Sequence, residues 1–291
     1  MNALDLRFFA AVARSGGIGR AAQMLNTVQS NVTTRLRSLE AELGTPLFHR
    51  HSRGVVLTEA GERLLPYAEK VGQLLSEAKR AALDGEEPGG ELRIGAMETT
   101  AALRLPPILA AYVADCPKVD VHVETGPTQA LVARVLAREL EGAFVCGPID
   151  HPDLHALPMM AEELVLVTPP APLERQGGEG KILVFRAGCS YRQRLEALLA
   201  AQGAVQVRRM EFGTLDGILG CVGAGLGVTL LPRAVAEPAA RTGKVRLQAL
   251  PPDEAHVTTA FITRHDAFMS RALDRFIAIA QGLGAGERQA A

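Results

Sequence analysis

The chain has 291 residues, 47% of them hydrophobic, 22% charged and 4% aromatic. Those proportions exclude a disordered, collagenous or disulfide-stapled chain, and the length suits two compact domains, each with residues enough for its own core. A net charge of -1 excludes a uniformly basic chain, yet residues 1–57 carry seven arginines against three acids, so one end is suited to a polyanion.

The N-terminal residues hold an acid at Asp5 and no uninterrupted apolar run, unlike a secretory signal. The most apolar stretch, Ile218 to Leu231, is interrupted by four glycines and is too short to span a bilayer. A cytoplasmic protein without membrane contact is expected. Cys116, Cys146, Cys189 and Cys221 lie 30 or more residues apart and read as four buried free thiols, not as a zinc site or redox dithiol. No metal and no cofactor is expected.

From Leu4 to Leu43 apolar residues recur at helical spacing, punctuated at Ser15-Gly16-Gly17 and at Asn26-Thr27. Three short helices follow, the second (about Ile18 to Leu25) joined to the third by a turn of helix-turn-helix length. In the third helix Val32, Leu36, Leu39 and Leu43 fall within about 60° of one another at 100° per residue, and so face a core of Phe8, Phe9, Val12, Ala22 and Leu25. The opposite face carries Ser30, Thr34 and Arg37, flanked by Asn31, Thr33 and Arg35. Its first turns are polar and basic and its last acidic, as in a helix that enters a groove by its N-terminus.

Two short apolar runs around Ser52-Arg53-Gly54 read as a two-stranded wing with Arg50 and Arg53 near its tip, which accounts for His49 and His51 better than a metal does. Thr58 then caps a long helix reaching about Leu83, in which Leu64, Ala68, Val71, Leu75, Ala78 and Ala82 alternate steps of four and three. That is a coiled-coil seam, and it predicts a partner chain. Pro66 should kink or bend the helix. Beyond the linker at 84–90 the pattern alternates: strands near 91–97, 118–124, 143–146 and 164–168, with helices at 99–115 and 129–138. A second set of strands near 182–186, 206–211 and 227–231 follows, with helices between, and a last strand and helix span 257–280. This predicts α/β layers on parallel sheet, in two sets.

These residues resemble the LysR-type transcriptional regulators. The resemblance is carried by Leu6-Arg7-Phe8-Phe9-Ala10-Ala11-Val12-Ala13, Arg20-Ala21-Ala22, Gln29-Ser30, Leu39-Glu40-Ala41-Glu42-Leu43-Gly44, Pro46-Leu47-Phe48 and Leu57-Thr58-Glu59-Ala60-Gly61, and more loosely by Gly95 with Leu105-Pro106 and Gly225-Leu226-Gly227 with Leu231-Pro232. It implies an N-terminal all-α winged helix-turn-helix (1–57) with a long linker helix (58–84) that dimerises. After a hinge linker (85–90) comes an α/β two-lobed periplasmic-binding-protein-like effector domain (91–291). Lobe I would comprise about 91–168 and 259–291, and lobe II about 169–258, with two crossing segments as hinge and the ligand between the lobes. Such proteins are commonly tetramers that bend promoter DNA, with RNA polymerase as a candidate further partner.

By position, the resemblance puts Gln29, Ser30, Thr33 and Thr34 at base edges in the major groove and Arg37 nearer the phosphates, with Arg20, Asn31 and Arg35 alongside. Arg53, with Arg50 or His51, sets the wing beside the minor groove. Gln bonds bidentately to adenine and Arg suits narrow A·T grooves. The family often has a basic residue where Thr34 stands, which rests specificity more on Gln29 and Arg35. Its usual N-cap Ser is Val28 here, leaving Thr27 to cap one residue early. Effector contacts are implied for Thr99 and Thr100 at the start of a helix, for Phe144 and Cys146 at a strand end, and for Cys189, Ser190, Tyr191 and Thr214 in the second lobe, suiting a small polar or anionic metabolite. An enzyme would need a nucleophile elbow or a phosphate loop, and neither motif is present. Gly220, Gly223, Gly225 and Gly227 follow a helix and precede a strand, the reverse of a dinucleotide fingerprint. A plain solute-binding protein would leave the basic N-terminal end unexplained.

Overall fold

The computed structural model describes residues 1–51, 54–171, 180–201 and 207–290, with the backbone alone for Arg50, Gly180 and residues 285–290. The chain divides into two units, Met1–Leu83 and Asp84–Ala291.

In the first unit, α1 (Ala3–Ser15) is capped by the Asn2 side chain, which accepts from the Asp5 N–H, and ends at Gly16 in the left-handed conformation. It is followed by α2 (Ile18–Met24) and α3 (Gln29–Leu43). The turn between them closes through Asn26 at φ 51°, a conformation Asn tolerates, while the Thr27 N–H donates to the Ala22 carbonyl at 2.9 Å. Phe9, Val12, Ala21, Val32 and Leu39 are fully buried in the core of the three helices. Leu43, expected on that core, is 39% exposed. The chain reverses at Gly44, and Leu47 and Phe48 fill the core in its place, with Phe48 5.3 Å from the Phe9 ring. Glu40 fixes the reversal by accepting from the Leu47 and Phe48 N–H groups at 2.8 and 3.3 Å.

The wing is an antiparallel pair, β1 (Phe48–His51) and β2 (Gly54–Leu57). Its tip, with Arg53, lies outside the described residues. In α4 (Glu59–Leu83) Thr58 is the expected cap: its Oγ1 accepts from the Gly61 N–H at 3.1 Å and donates to the Pro46 carbonyl at 2.8 Å. The helix continues through Pro66. The seam expected to face a partner along its whole length is divided. Leu64, Ala68 and Val71 pack on the core of their own unit, whereas Leu75, Ala78 and Ala82 are exposed. Close approach makes the inner half possible, since a Cβ on Gly61 would stand 2.3 Å from the Leu47 carbonyl oxygen.

The second unit begins with β3 (Gly90–Ala96), α5 (Glu98–Leu103), α6 (Leu105–Asp115), β4 (Val119–Thr125), α7 (Thr128–Leu136), β5 (Gly142–Cys146) and β6 (Leu154–Thr168). It continues with β7 (Gly180–Phe185), α8 (Ser190–Ala201), β8 (Val207–Phe212), α9 (Leu215–Gly223), β9 (Thr229–Pro232) and α10 (Arg233–Arg241). It ends with β10 (Arg246–Ala249), α11 (Pro252–Ala255), β11 (His256–Arg264) and α12 (Arg271–Ala290). The one helix expected over 99–115 is two, because Pro106 and Pro107 supply no N–H for the turn before them and restart the helix at its first positions. The strand expected at 164–168 starts ten residues earlier. Pro158 hides that first stretch, and it sits where the pairing with β11 slips at Thr259/Ala260. Neither α10 nor β10 was expected.

The sheet runs β10-β6-β11-β5-β3-β4 with β9 also on β6, and β7 pairs β8 separately. The parallel sheet expected holds for β3–β4, β3–β5 and β7–β8, but β11 and β10 run antiparallel to their neighbours, so the layers are mixed. The first half of β6 pairs β11, and Leu164–Thr168 pairs β9 and β10 of the second lobe, which moves the changeover from 169 into β6 itself. There Glu162 bonds to Arg104 at 3.1 Å and the next residue, Glu163, to Arg233 through two bonds of 2.6 and 2.7 Å, successive side chains taking opposite faces. Two cores result, one around Phe144, Phe261 and Phe276, the other around Val145, Leu183 and Ile218. Cys116, Cys146 and Cys189 are buried thiols as expected, while Cys221 is only partly so.

Candidate nucleic-acid interface and ligand cavity

With Val32, Leu36 and Leu39 turned inward, the 3.6-residue period leaves Gln29, Ser30, Thr34 and Arg37 exposed along one side of α3. Gln29 lies back over α2, where a Cβ on Gly19 would meet its Nε2 at 3.1 Å. Two neighbours are engaged locally. The Thr33 hydroxyl donates to the Gln29 carbonyl at 2.9 Å, and the Asn31 amide donates to Thr27 Oγ1 at 2.9 Å. Thr27 is thus not the cap expected of it, and α3 starts at Gln29 behind Val28 with no side-chain cap.

Arg35 departs most from expectation. Its Nη1 donates to Asp5 Oδ1 at 2.9 Å and its guanidinium lies 5.2 Å from the centre of the Phe8 ring, so it ties α3 to α1 instead of projecting with Gln29. Arg20 is exposed, and its Nε donates to the Ser15 carbonyl at 2.5 Å, bracing the α1–α2 turn with one edge of the guanidinium. His51 is exposed on the wing, and of Arg50 only the backbone is described.

In the second unit a cavity of about 430 Å³ opens at the carboxyl ends of β3, β4, β7 and β8. Crevices at strand carboxyl ends are where open α/β sheets hold ligands, because the loops leaving them diverge. One wall comes from the first lobe, through Met97–Thr99 and Thr125–Thr128. The other comes from the second, through Phe185, Arg186, Cys189, Tyr191 and Phe212–Gly213. The lobes also touch directly where the Gln129 N–H donates to the Gly188 carbonyl at 3.3 Å.

Of the effector residues expected, Thr99, Cys189 and Tyr191 line this cavity. Thr99 is 3% exposed, and its Oγ1 lies close to the Tyr191 phenol but makes no hydrogen bond of normal geometry among the described residues. Burial pushes the Tyr191 phenol and the Cys189 thiol up, so both are protonated donors at neutral pH. The others do not meet there. Thr100 is buried off the cavity. Phe144 points to the opposite face of β5, 4.8 Å from the Phe261 ring, as strand alternation requires. Cys146 is buried beside the cavity wall and its thiol is pushed up to about 11, first by desolvation. Ser190 opens α8 without reaching the cavity, and Thr214 is occupied as the cap of α9, accepting from the Gly217 N–H at 3.3 Å.

Sequence reasoning missed Thr128, Arg134, Arg186 and Phe212. All but Arg134 stand within three residues of a strand end, so extending each strand into its following loop would have found them. Arg134 comes from a helix and is held by two carboxylates, Glu124 and Glu139. Its guanidinium keeps the Glu124 carboxyl below the ordinary range. Among the described residues no cluster of His, Cys, Asp or Glu could hold a metal, and no helix is long and apolar enough to cross a membrane.

Residues 4–62 match the bacterial regulatory helix-turn-helix protein, lysR family, and residues 85–284 match the LysR substrate binding domain. The HTH-type transcriptional regulator GltR of Bacillus subtilis (strain 168) is 44% identical over 281 residues, 95% of each chain. YusT, an uncharacterized HTH-type regulator of the same organism, is 47% identical over 278 residues, 95% of this chain and 94% of its own. Full-length CbnR, solved in complex with its target DNA, shares the fold at a TM-score of 0.67 and 23% identity over 97% of this chain and 99% of its own. An N-terminal helix-turn-helix, a helical stalk and a two-lobed α/β unit, matched over almost the whole length, place this chain in the LysR family of DNA-binding transcriptional regulators, with an effector-binding domain.

Proposed function

We propose that the protein regulates transcription in the cytoplasm as a homodimer or homotetramer, and that its hold on promoter DNA is set by a small metabolite in the interlobe cavity. The observation that carries this reading is the cavity itself, built from both lobes and containing a buried Thr99 hydroxyl without a hydrogen bond of normal geometry. An unsatisfied buried hydroxyl costs about 1–3 kcal/mol, which a polar ligand removes. A ligand touching both walls favours one lobe angle over another, which is the differential affinity a switch requires.

Gln29, Ser30, Thr34 and Arg37 on α3 are the proposed DNA contacts, joined by the wing with Arg50, His51 and Arg53. The outer half of α4, with Leu75, Ala78 and Ala82, is the proposed dimer seam. Nuclease footprinting on the DNA upstream of the protein's own gene, with and without candidate metabolites, tests the whole reading. Thr99→Val should abolish the metabolite response and leave the footprint itself intact. A footprint unchanged by any metabolite, or a response unaffected by the substitution, would overturn it.

A further inference from the structure

The charges lining the cavity select among ligands, an argument that rests on reading the cavity as the effector site. Among the described residues three acidic or basic side chains line it: Glu98 and Arg134 from the first lobe and Arg186 from the second. Arg134 is already neutralised by Glu124 and Glu139. Among the described residues neither Glu98 nor Arg186 has an ion-pair partner; Glu98 is partly buried and Arg186 is exposed. One carboxylate and one guanidinium are therefore left uncompensated on opposing walls, with the buried Thr99 hydroxyl next to Glu98 in the chain.

A simple anion drawn to Arg186 would enter a cavity that also holds the Glu98 carboxylate, and a simple cation would meet the reverse penalty from Arg186. A molecule of zero net charge that carries both signs meets neither. We propose that the effector is a small zwitterion of the α-amino-acid class. Its carboxylate is received by the Arg186 guanidinium and the Tyr191 phenol, and its ammonium group by the Glu98 carboxylate. The Thr99 hydroxyl accepts from the ammonium and donates to the carboxylate. Leu131, Phe185 and Phe212 line the remaining space and suit an apolar or uncharged side chain. Glu98 and Arg186 stand on different lobes, so the two ligand charges tie the lobes together, and a ligand with one charge does not.

The test uses the full-length protein and a panel of the common amino acids, each apolar member accompanied by the carboxylate that lacks its amine and the amine that lacks its carboxylate. L-leucine with 4-methylpentanoate and isopentylamine is one such set, and L-phenylalanine with 3-phenylpropanoate and phenethylamine another. Thermal shift and calorimetry should find at least one zwitterion bound about tenfold or more tightly than both of its partial analogues, the loss expected when a charge-assisted bond is removed. Glu98→Gln should erase the preference for the zwitterion over the plain carboxylate, and Arg186→Gln should weaken both. A plain carboxylate bound as tightly as its zwitterion, or a preference that survives Glu98→Gln, would overturn the charge assignment while leaving the cavity as the effector site, provided Thr99→Val still weakens binding. Binding of no compound in any of the three classes would overturn the assignment and the reading of the cavity together.

Discussion

Arg35 and Gln29 lie six positions apart on one helix and do different work. Arg35 pairs with Asp5, which is nearly buried, and covers the Phe8 ring, so its loss leaves a carboxylate without its cation inside the unit. Arg35→Ala should therefore lower stability by about 1–2 kcal/mol in denaturant titration, while base preference in a binding-site selection stays as it was. Gln29→Ala should do the opposite, relaxing preference at one base pair by about 1–3 kcal/mol with no change in melting temperature. Full discrimination by the Gln29 variant would place base readout elsewhere. The difference between the two was not legible in the sequence. Helical spacing assigns Arg35 to the flank of the polar face, and a long flexible side chain on a flank swings toward whichever acid the neighbouring helix supplies. Phe144 was misread for a related reason. Its strand was found, but which side of the strand met the cavity depended on Phe261 and Phe276, more than a hundred residues on.

Among the elements, α4 shows how one apolar repeat serves two purposes. Its inner residues complete the core of their own unit, and a Cβ on Gly61 would press on the Leu47 carbonyl oxygen. Gly61→Ala should cost about 3 kcal/mol of stability, since the Leu47 backbone it would strike cannot give way as a flexible side chain could. Leu75, at 52% exposure on the outer half, contributes little to its own unit. Leu75→Asp should change monomer stability by less than about 0.5 kcal/mol yet shift sedimentation toward the monomer. A dimer that survives the substitution would move the seam to another surface. The step-four, step-three spacing was plain in the sequence. How much of it the chain would cover by itself was not, because that depends on the approach of α1. The split between α5 and α6 was missed, since one helix was expected over 99–115 although Pro106-Pro107 marks the break, and the start of β6 was obscured by Pro158, which reads as a strand breaker and is accommodated by a bulge.

At the scale of the whole molecule, the carboxylates of the effector unit make stability depend on acid. The Arg233 guanidinium holds Glu163 below the ordinary carboxylate range, with His256 across the strand adding to it. Asp115 and Asp266 are held at about 2 by Arg275 and Arg264. These groups release their protons more readily folded than unfolded, so the unfolded chain takes up protons first as pH falls. Their stabilisation is complete above about pH 4.5 and is lost on descent toward the lower folded values, near 2 for Asp115 and Asp266. Melting temperature measured from pH 6 to pH 3 should fall, and Arg233→Gln should make the fall shallower because Glu163 then titrates near its unfolded value. A variant as acid-sensitive as the parent would remove Glu163 from the account.

The linear chain by itself determined the division into a basic three-helix head, a stalk and an α/β unit, and the outward polar side of α3, because these follow from periodicity, punctuation and local charge. Tertiary packing alone decided that Arg35 braces α1, that half of the stalk is used internally, and that Thr99, Tyr191, Glu98 and Arg186 converge on one cavity. Convergence of residues up to 93 positions apart is set by how β6 and β11 carry the chain between lobes, and no local pattern encodes it.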